Sequence, residues 1–270
     1  MSAEAVPEGP PSLLVEQRGQ ALWIALNRPQ AANALTPDQR DELIQIFEAA
    51  GADGSVRVVV ITAEGKHFCS GADLSAGAGG DPLAVGRVAR TLRMGSQRLI
   101  AAVLDCEKPV VAEVHGAAAG IGANLALACD FVLASEDARL IEVFVRRGLV
   151  PDGGGAYLLP RLIGNTRAKE LLLLGNDLSA RRAEELGLVT SVVPEAELRP
   201  AVAALVQRLE AAPTRALALC KWLVNRSLES SRDQAFADEA MAQEQNMTTG
   251  DSREGIAAFL ERRPAEFKGC

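Results

Sequence analysis

At 270 residues the chain is long enough to bury a full core, as one large domain or a domain with an appendage. Its composition is that of an ordinary globular protein: 48% hydrophobic, 23% charged and only 4% aromatic. With 28 basic residues against 35 acidic ones the formal charge is −7, which argues against sequence-independent nucleic-acid binding but leaves room for a local basic groove that takes a phosphorylated ligand.

The chain opens on "MSAEAVPEGPPS", acidic and proline-rich, which reads as a frayed tail and not as a signal peptide. "LLVEQ" and "ALWIAL" follow as short strand-like runs around Arg18-Gly19, a hairpin signal. After "NRPQAANAL" comes a helix start with Thr36 as N-cap, Pro37 at the first helical position and Gln39 closing a capping box. Leu43, Ile46, Phe47 and Ala50 form its apolar stripe, and Gly51 is expected to end it. "VRVVVITA" reads as a buried strand, "EGKHFCSGADLSAGAGGDP" as a loop that is mobile between Ser75 and Asp81, and Leu83 to Leu104 as one long helix.

The pattern then recurs as strand "PVVAEV", a glycine-rich turn, helix "GANLALA" and strand "DFVLAS". A further strand "ARLIEV" leads into "RRGLVPDGGGAYLLP", expected as another strand-to-turn-to-helix passage. From about Asn165 the chain reads as helical, with "LVTSVVP" the one strand candidate. Alternating strands and helices imply a mainly parallel sheet covered by helices. No apolar run approaches the roughly 18 residues of a membrane helix, because Glu113, His115, Asn124 and Asp130 interrupt the longest candidate. Cys69, Cys106, Cys129, Cys220 and Cys270 form no C-x-x-C pair, so reduced thiols in a cytoplasmic protein are expected, with no disulfide framework and no metal site.

Gly120-Ile121-Gly122 between a strand and a short helix falls short of a dinucleotide fingerprint, since Leu125 stands at the third glycine position. Two further turns, Gly71-Ala72-Asp73 and "PDGGGA", each expected after a strand, change its meaning. Three such turns at the same ends of neighbouring strands would converge on one crevice. The backbone N–H groups of Ala72 and Ile121 would then face one oxygen and stabilise an oxyanion.

"ALNRPQAANAL", "CSGADL", "KPVVAEVHGAAAGIGANLALACDFVLAS", "GLVPDGGGAYLLPRLIG" and "REGIAAFLERRPAEF" together resemble the crotonase superfamily, the enoyl-CoA hydratase/isomerase family, from about Leu13 to Phe267. The resemblance implies an α/β spiral of repeated ββα units, the ClpP/crotonase-like fold, over 13–194, after a tail at 1–12. It implies a C-terminal helical trimerisation region at 195–270, and a homotrimer or a hexamer made of two trimers. It implies an acyl-CoA thioester as substrate, no permanently bound cofactor, and a thioester carbonyl between Ala72 and Ile121. Asn33, Ala34 and Leu35, together with Gly71, Asp73, Leu74 and Gly120, match the segments that surround the CoA. Phe259 and Lys268 match positions that close over the nucleotide from a neighbouring subunit. The lysine that often follows the family's Gly-Ala-Asp turn is replaced by Ser75.

Both hydratase carboxylates are absent by this resemblance: their positions hold Asn124 and Phe144. A carboxamide does not exchange protons near neutral pH, and a phenyl ring moves none. Asn124 either holds a water or substrate oxygen or is a polar residue of a helix first turn. Asp152 in "PDGGG" matches the catalytic aspartate of the superfamily's double-bond isomerases, and it is equally a good N-cap. Strand alternation sets Glu142 on the face of Phe144, as a second carboxylate candidate. His115 reads as a hydrogen-bonded turn histidine, Cys69 as a small buried thiol, and Arg146, Arg147, Arg161 and Arg167 as solvated charges within reach of a CoA phosphate. The expectation is double-bond isomerisation of an enoyl- or dienoyl-CoA. The alternatives are a β-oxidation hydratase with non-standard acid/base residues and a non-catalytic acyl-CoA-binding protein.

Overall fold

The computed structural model describes residues 11–75 and 86–270. The N-terminal tail at 1–10, the loop 76–85 and the expected helix start at Leu83 lie outside the described residues.

Strands β1 (Leu13–Arg18) and β2 (Ala21–Leu26) form the expected antiparallel hairpin, paired from Leu13↔Leu26 to Arg18↔Ala21. Helix α1 (Pro37–Ala52) starts on the expected capping box: Thr36 accepts from the Gln39 N–H while the Gln39 side chain accepts from the Thr36 N–H. It runs through Gly51 to Ala52, one residue past the expected end, and Asp53 serves as C-cap. Strand β3 (Val58–Ala63) follows, every residue buried.

The expected long helix is three pieces. Helix α2 (Arg87–Thr91) passes through a π-helical turn at Leu92–Ser96 into α3 (Gln97–Asp105). Gly95, inside that turn, packs against the Arg40 guanidinium of α1 with no room for a Cβ, so a tertiary contact decides where the helix bulges. Then come β4 (Val110–Val114), β5 (Ala117–Ala119), α4 (Ile121–Leu127), β6 (Phe131–Ser135) and β7 (Arg139–Ile141).

"PDGGGA" does not follow a strand as expected: β7 ends at Ile141 and a 3-10 turn spans Val143–Arg147. Helix α5 (Gly155–Leu174), broken at Gly164, leads to β8 (Asp177–Ser179), a strand with too few residues to betray itself in the sequence. After α6 (Ala180–Glu185) and β9 (Ser191–Val193), the chain is helical in α7 (Glu195–Glu210), α8 (Thr214–Ser227), α9 (Arg232–Met247) and α10 (Gly250–Glu261).

Among the described residues one sheet has the order β1-β2-β3-β4-β6-β9, parallel apart from the first hairpin, and a second has the order β5-β7-β8. Both faces of the large sheet are covered, which is why its central strands are continuous apolar runs. Val59 and Ile61 of β3 point into a core with Leu43 and Phe47 of α1 and Leu99 and Val103 of α3. Their neighbours Val58 and Val60 point the other way, with Trp23, against Leu198, Val202 and Val206 of α7. Helix α7, the first beyond residue 194, thus closes the sheet. Lys221 of α8 ties the later helices back, donating to Asp130 at 2.8 Å and to the Val103 carbonyl at 3.1 Å. Among the described residues no helix is long and apolar enough to cross a membrane.

Candidate active site

The three glycine-rich turns do meet, though not as ends of neighbouring strands in one sheet, because β5 belongs to the second sheet. What joins them is a pair of isolated parallel bridges, Cys69 with Ala118 and Leu35 with Ala72. The Cys69 N–H donates to the Ala117 carbonyl at 3.0 Å, and the Ala119 N–H donates back to Cys69 at 2.8 Å. Leu35 donates to the Gly71 carbonyl at 2.8 Å, and Asp73 donates to Leu35 at 2.9 Å. A Cβ on Gly122 would stand 2.5 Å from the Cys69 carbonyl oxygen, so only glycine lets α4 begin flat against that segment. Gly153 makes the same allowance for the Ile121 side chain, which brings "PDGGG" onto α4.

Two backbone donors are left over at this junction. Ile121 is the first residue of α4, and Ala72 lies between the Gly71 carbonyl and the Asp73 N–H, which serve the Leu35 bridge. Among the described residues neither N–H has an acceptor, while Gly120 is anchored by donating to the Ile141 carbonyl at 2.9 Å. A pair of unspent N–H groups is suited to an oxygen that gains negative charge.

Asp152 is not a cap. Helix α5 has Gly154 at its N-cap, without a side-chain cap bond, and it is the Asp152 carbonyl that accepts, from the Gly155 N–H at 3.3 Å and from Asn124 Nδ2 at 2.9 Å. The Asp152 carboxylate makes no hydrogen bond or ion pair among the described residues. It is half-buried, and that burial pushes it above the usual carboxylate range.

Glu142 sits deeper, 4% exposed, with neither carboxyl oxygen partnered. Burial first, and the nearby Asp152 charge second, push its pKa up to about 7. Strand alternation does not describe Glu142 and Phe144, because the 3-10 turn separates their directions. Glu142 reaches Gly155 and Asn124, whereas the Phe144 ring packs toward Gly120, 3.6 Å from where a Cβ would stand. Asn124, at the hydratase position, is fully buried. The signal of Glu142 in the sequence is an acidic residue inside the apolar run "LIEVF".

The remaining candidates divide. Asn33 is buried and spends its side chain on the loop, accepting from the Arg28 N–H at 2.8 Å and donating to the Glu64 and His67 carbonyls at 2.8 and 2.7 Å. Ala34 and Leu35 carry the segment that pairs with Ala72. Asp73 pairs with Arg28 at 2.9 Å, and Leu74 is exposed. Phe259 of α10 is 82% exposed, and Lys268 lies on a tail held by Asp251, which accepts from the Lys268 N–H at 2.7 Å. His115 Nε2 lies 3.0 Å from the Gly65 carbonyl, as a turn histidine. Cys69 is buried and its thiol is pushed up to about 12 by burial. Arg146, Arg161 and Arg167 pair with Asp177, Glu229 and Glu170. Among the described residues no group of three or more His, Cys, Asp or Glu could hold a metal ion.

The family model for enoyl-CoA hydratase/isomerase matches residues 16–270. A "probable enoyl-CoA hydratase" of Rhodobacter capsulatus is 39% identical over 247 residues, 91% of this chain and 93% of that protein. The 1,2-epoxyphenylacetyl-CoA isomerase of Escherichia coli is 35% identical over 252 residues, 92% and 95% of the two chains. A crystal structure of enoyl-CoA hydratase from Bacillus anthracis superposes with a TM-score of 0.89 at 33% identity, covering 96% of this chain and 100% of that one. Fold, turns and relatives agree: the chain has the crotonase fold and belongs to the enoyl-CoA hydratase/isomerase family.

Proposed function

We propose that the chain isomerises a carbon–carbon double bond of an enoyl- or dienoyl-CoA. Asp152 carries the proton, and the Ala72 and Ile121 N–H groups hold the enolate oxygen. One observation carries this reading: Asp152 belongs to the turn that packs on α4, and its carboxylate is released from capping α5. As base it removes a proton from one carbon, the electron pair delocalises to the thioester oxygen, and the same carboxyl returns the proton at the far end of the shifted double bond. An isomerase needs no second group, which fits Asn124 and Phe144 at the hydratase positions. Each oxyanion donor is worth ~3 kcal/mol in the transition state. The epoxide isomerase among the relatives supports the same choice.

The substrate is a coenzyme A thioester and no resident cofactor is called for. Ala34, Leu35, Gly71 and Leu74 are assigned to the rim of its binding groove, with Phe259 and Lys268 reaching in from a neighbouring subunit. The assembly is a homotrimer or a hexamer. Five free cysteines fit a reducing cytoplasmic setting. A second reading, hydration with unusual groups, draws on Glu142, whose pKa of about 7 suits a proton donor. The test is enoyl-thioester absorbance with a 3-enoyl-CoA and with crotonyl-CoA. Turnover of the first supports isomerisation, and turnover of the second alone supports hydration. Tight binding without either would make the protein an acyl-CoA binder.

A further inference from the structure

Among the described residues, three buried side-chain oxygens beside Asp152 have no hydrogen-bond donor: Asn124 Oδ1 and both carboxyl oxygens of Glu142. Asn124 is 0% exposed and Glu142 4%, so bulk water does not serve them. Both side chains border Gly155, where a Cβ would stand 3.1 Å from Asn124 Oδ1 and 3.3 Å from Glu142 Oε2. Buried acceptors that lie near one another are costly unless a proton serves them.

The amide spends one of its two N–H groups elsewhere. Asn124 Nδ2 donates to the Asp152 carbonyl at 2.9 Å, and turning the amide over would set Oδ1 against that carbonyl instead. Among the described residues the amide's second N–H reaches neither Glu142 oxygen, which leaves a protonated Glu142 as the group to serve Asn124 Oδ1.

We propose that Glu142 is the positioning residue of Asp152: its carboxylic O–H donates to Asn124 Oδ1, and Asn124 Nδ2 holds the Asp152 carbonyl and so the turn that carries the base. This rests on Asp152 being that base. The chain of two bonds links the 3-10 turn, α4 and the start of α5, and it leaves one Glu142 oxygen as an acceptor only. Burial and the Asp152 charge both favour the protonated acid, up to a pKa of about 7. From α5, Asp152 is the ionisable group acting on Glu142, and α4 carries none. Arg146, on Glu142's own turn, pairs with Asp177 of β8 at 2.6 Å on the surface, while Arg147 and, on β7, Arg139 are exposed.

The test is kcat and KM for a 3-enoyl-CoA across pH in wild type, Glu142→Gln and Glu142→Leu. Wild-type kcat should fall as pH rises through about 7, because ionised Glu142 no longer donates. Glu142→Leu should lower kcat about tenfold with KM little changed. Glu142→Gln, whose amide donates at every pH, should recover most of that loss and abolish the alkaline limb. An unmoved limb in Glu142→Gln, or wild-type kcat in Glu142→Leu, would overturn the proposal. Infrared difference spectra (wild type minus Glu142→Gln) read the same proton without turnover: the C=O band of a protonated carboxyl should be present below pH 7 and vanish above it. Its absence overturns the proposal even if no substrate is isomerised, whereas failure to isomerise with the band present overturns the isomerase reading and Glu142's positioning role with it.

Discussion

Asn124 Nδ2 donates to the Asp152 carbonyl across 2.9 Å, tying the first turn of α4 to the loop before α5. One end of that bond lies three residues from the Ile121 N–H assigned to the oxyanion, and the other is the residue assigned to move the proton. Asn124 is thus a strut between α4 and the loop before α5.

Close glycine packing should be as necessary as the strut. In Gly122→Ala the new Cβ would fall 2.5 Å from the Cys69 carbonyl and 2.7 Å from its Sγ, so backbone has to move. The expected cost is ~1–3 kcal/mol, with activity falling further because the Ile121 N–H shifts. Gly54→Ala, which meets nothing within 4 Å, serves as control. Denaturant unfolding of both variants checks this, and equal stabilities would contradict it.

Glu142 should leave a signature in stability against pH. Its folded pKa of about 7 lies above the ordinary 4.5, so between those values the folded state holds a proton that the unfolded state has released. The stability it contributes is present below pH 4.5 and is lost as pH rises toward 7. A shift of that size amounts to about 3 kcal/mol. Glu142→Gln removes the slope, so melting temperatures of the two proteins should converge or cross as pH rises through this window. Parallel curves would mean that Glu142 titrates normally.

Hydration of crotonyl-CoA should be negligible. Each acid/base group is typically worth ~10²–10⁴ in rate, and both hydratase positions lack one. Phe144→Glu should not restore it alone, since its partner position remains Asn124. A turnover number in the ordinary enzymatic range for wild type would contradict this and bring Glu142 forward as a hydration residue.

The later helices should be covered by other copies of the chain. Phe236, Met241, Ile256, Phe259 and Leu260 of α9 and α10 are exposed, together with Trp222 and Val224 of α8. A single copy leaves that much apolar surface wet, and closed symmetric assembly buries it. Light scattering at micromolar concentration should give three or six copies, and a monomer would contradict it.

Much of this architecture is legible locally. The Thr36–Gln39 capping box, the hairpin around Gly19 and the buried run of β3 each follow from a few adjacent residues. What was not legible depends on distant partners. The π-helical turn at Leu92–Ser96 needs Arg40 against Gly95. Strands β5 and β8 have three residues each, too few for alternation to show. "PDGGG" reads the same whether or not Asp152 caps a helix, and the N-cap at Gly154, with no side-chain cap bond, rules the cap out. Glu142 gains its depth from α4 and α5, which no local window contains.

The central claim is that Asp152 moves the proton, and Asp152→Asn tests it most directly. Since the carboxylate neither caps α5 nor pairs with another side chain among the described residues, the substitution should leave folding and acyl-CoA affinity nearly unchanged. It removes only the group that acts in the transition state. Isomerisation of a 3-enoyl- or dienoyl-CoA should drop by ~10²-fold or more, with calorimetric affinity for the acyl-CoA preserved. Unchanged turnover in Asp152→Asn would contradict the account.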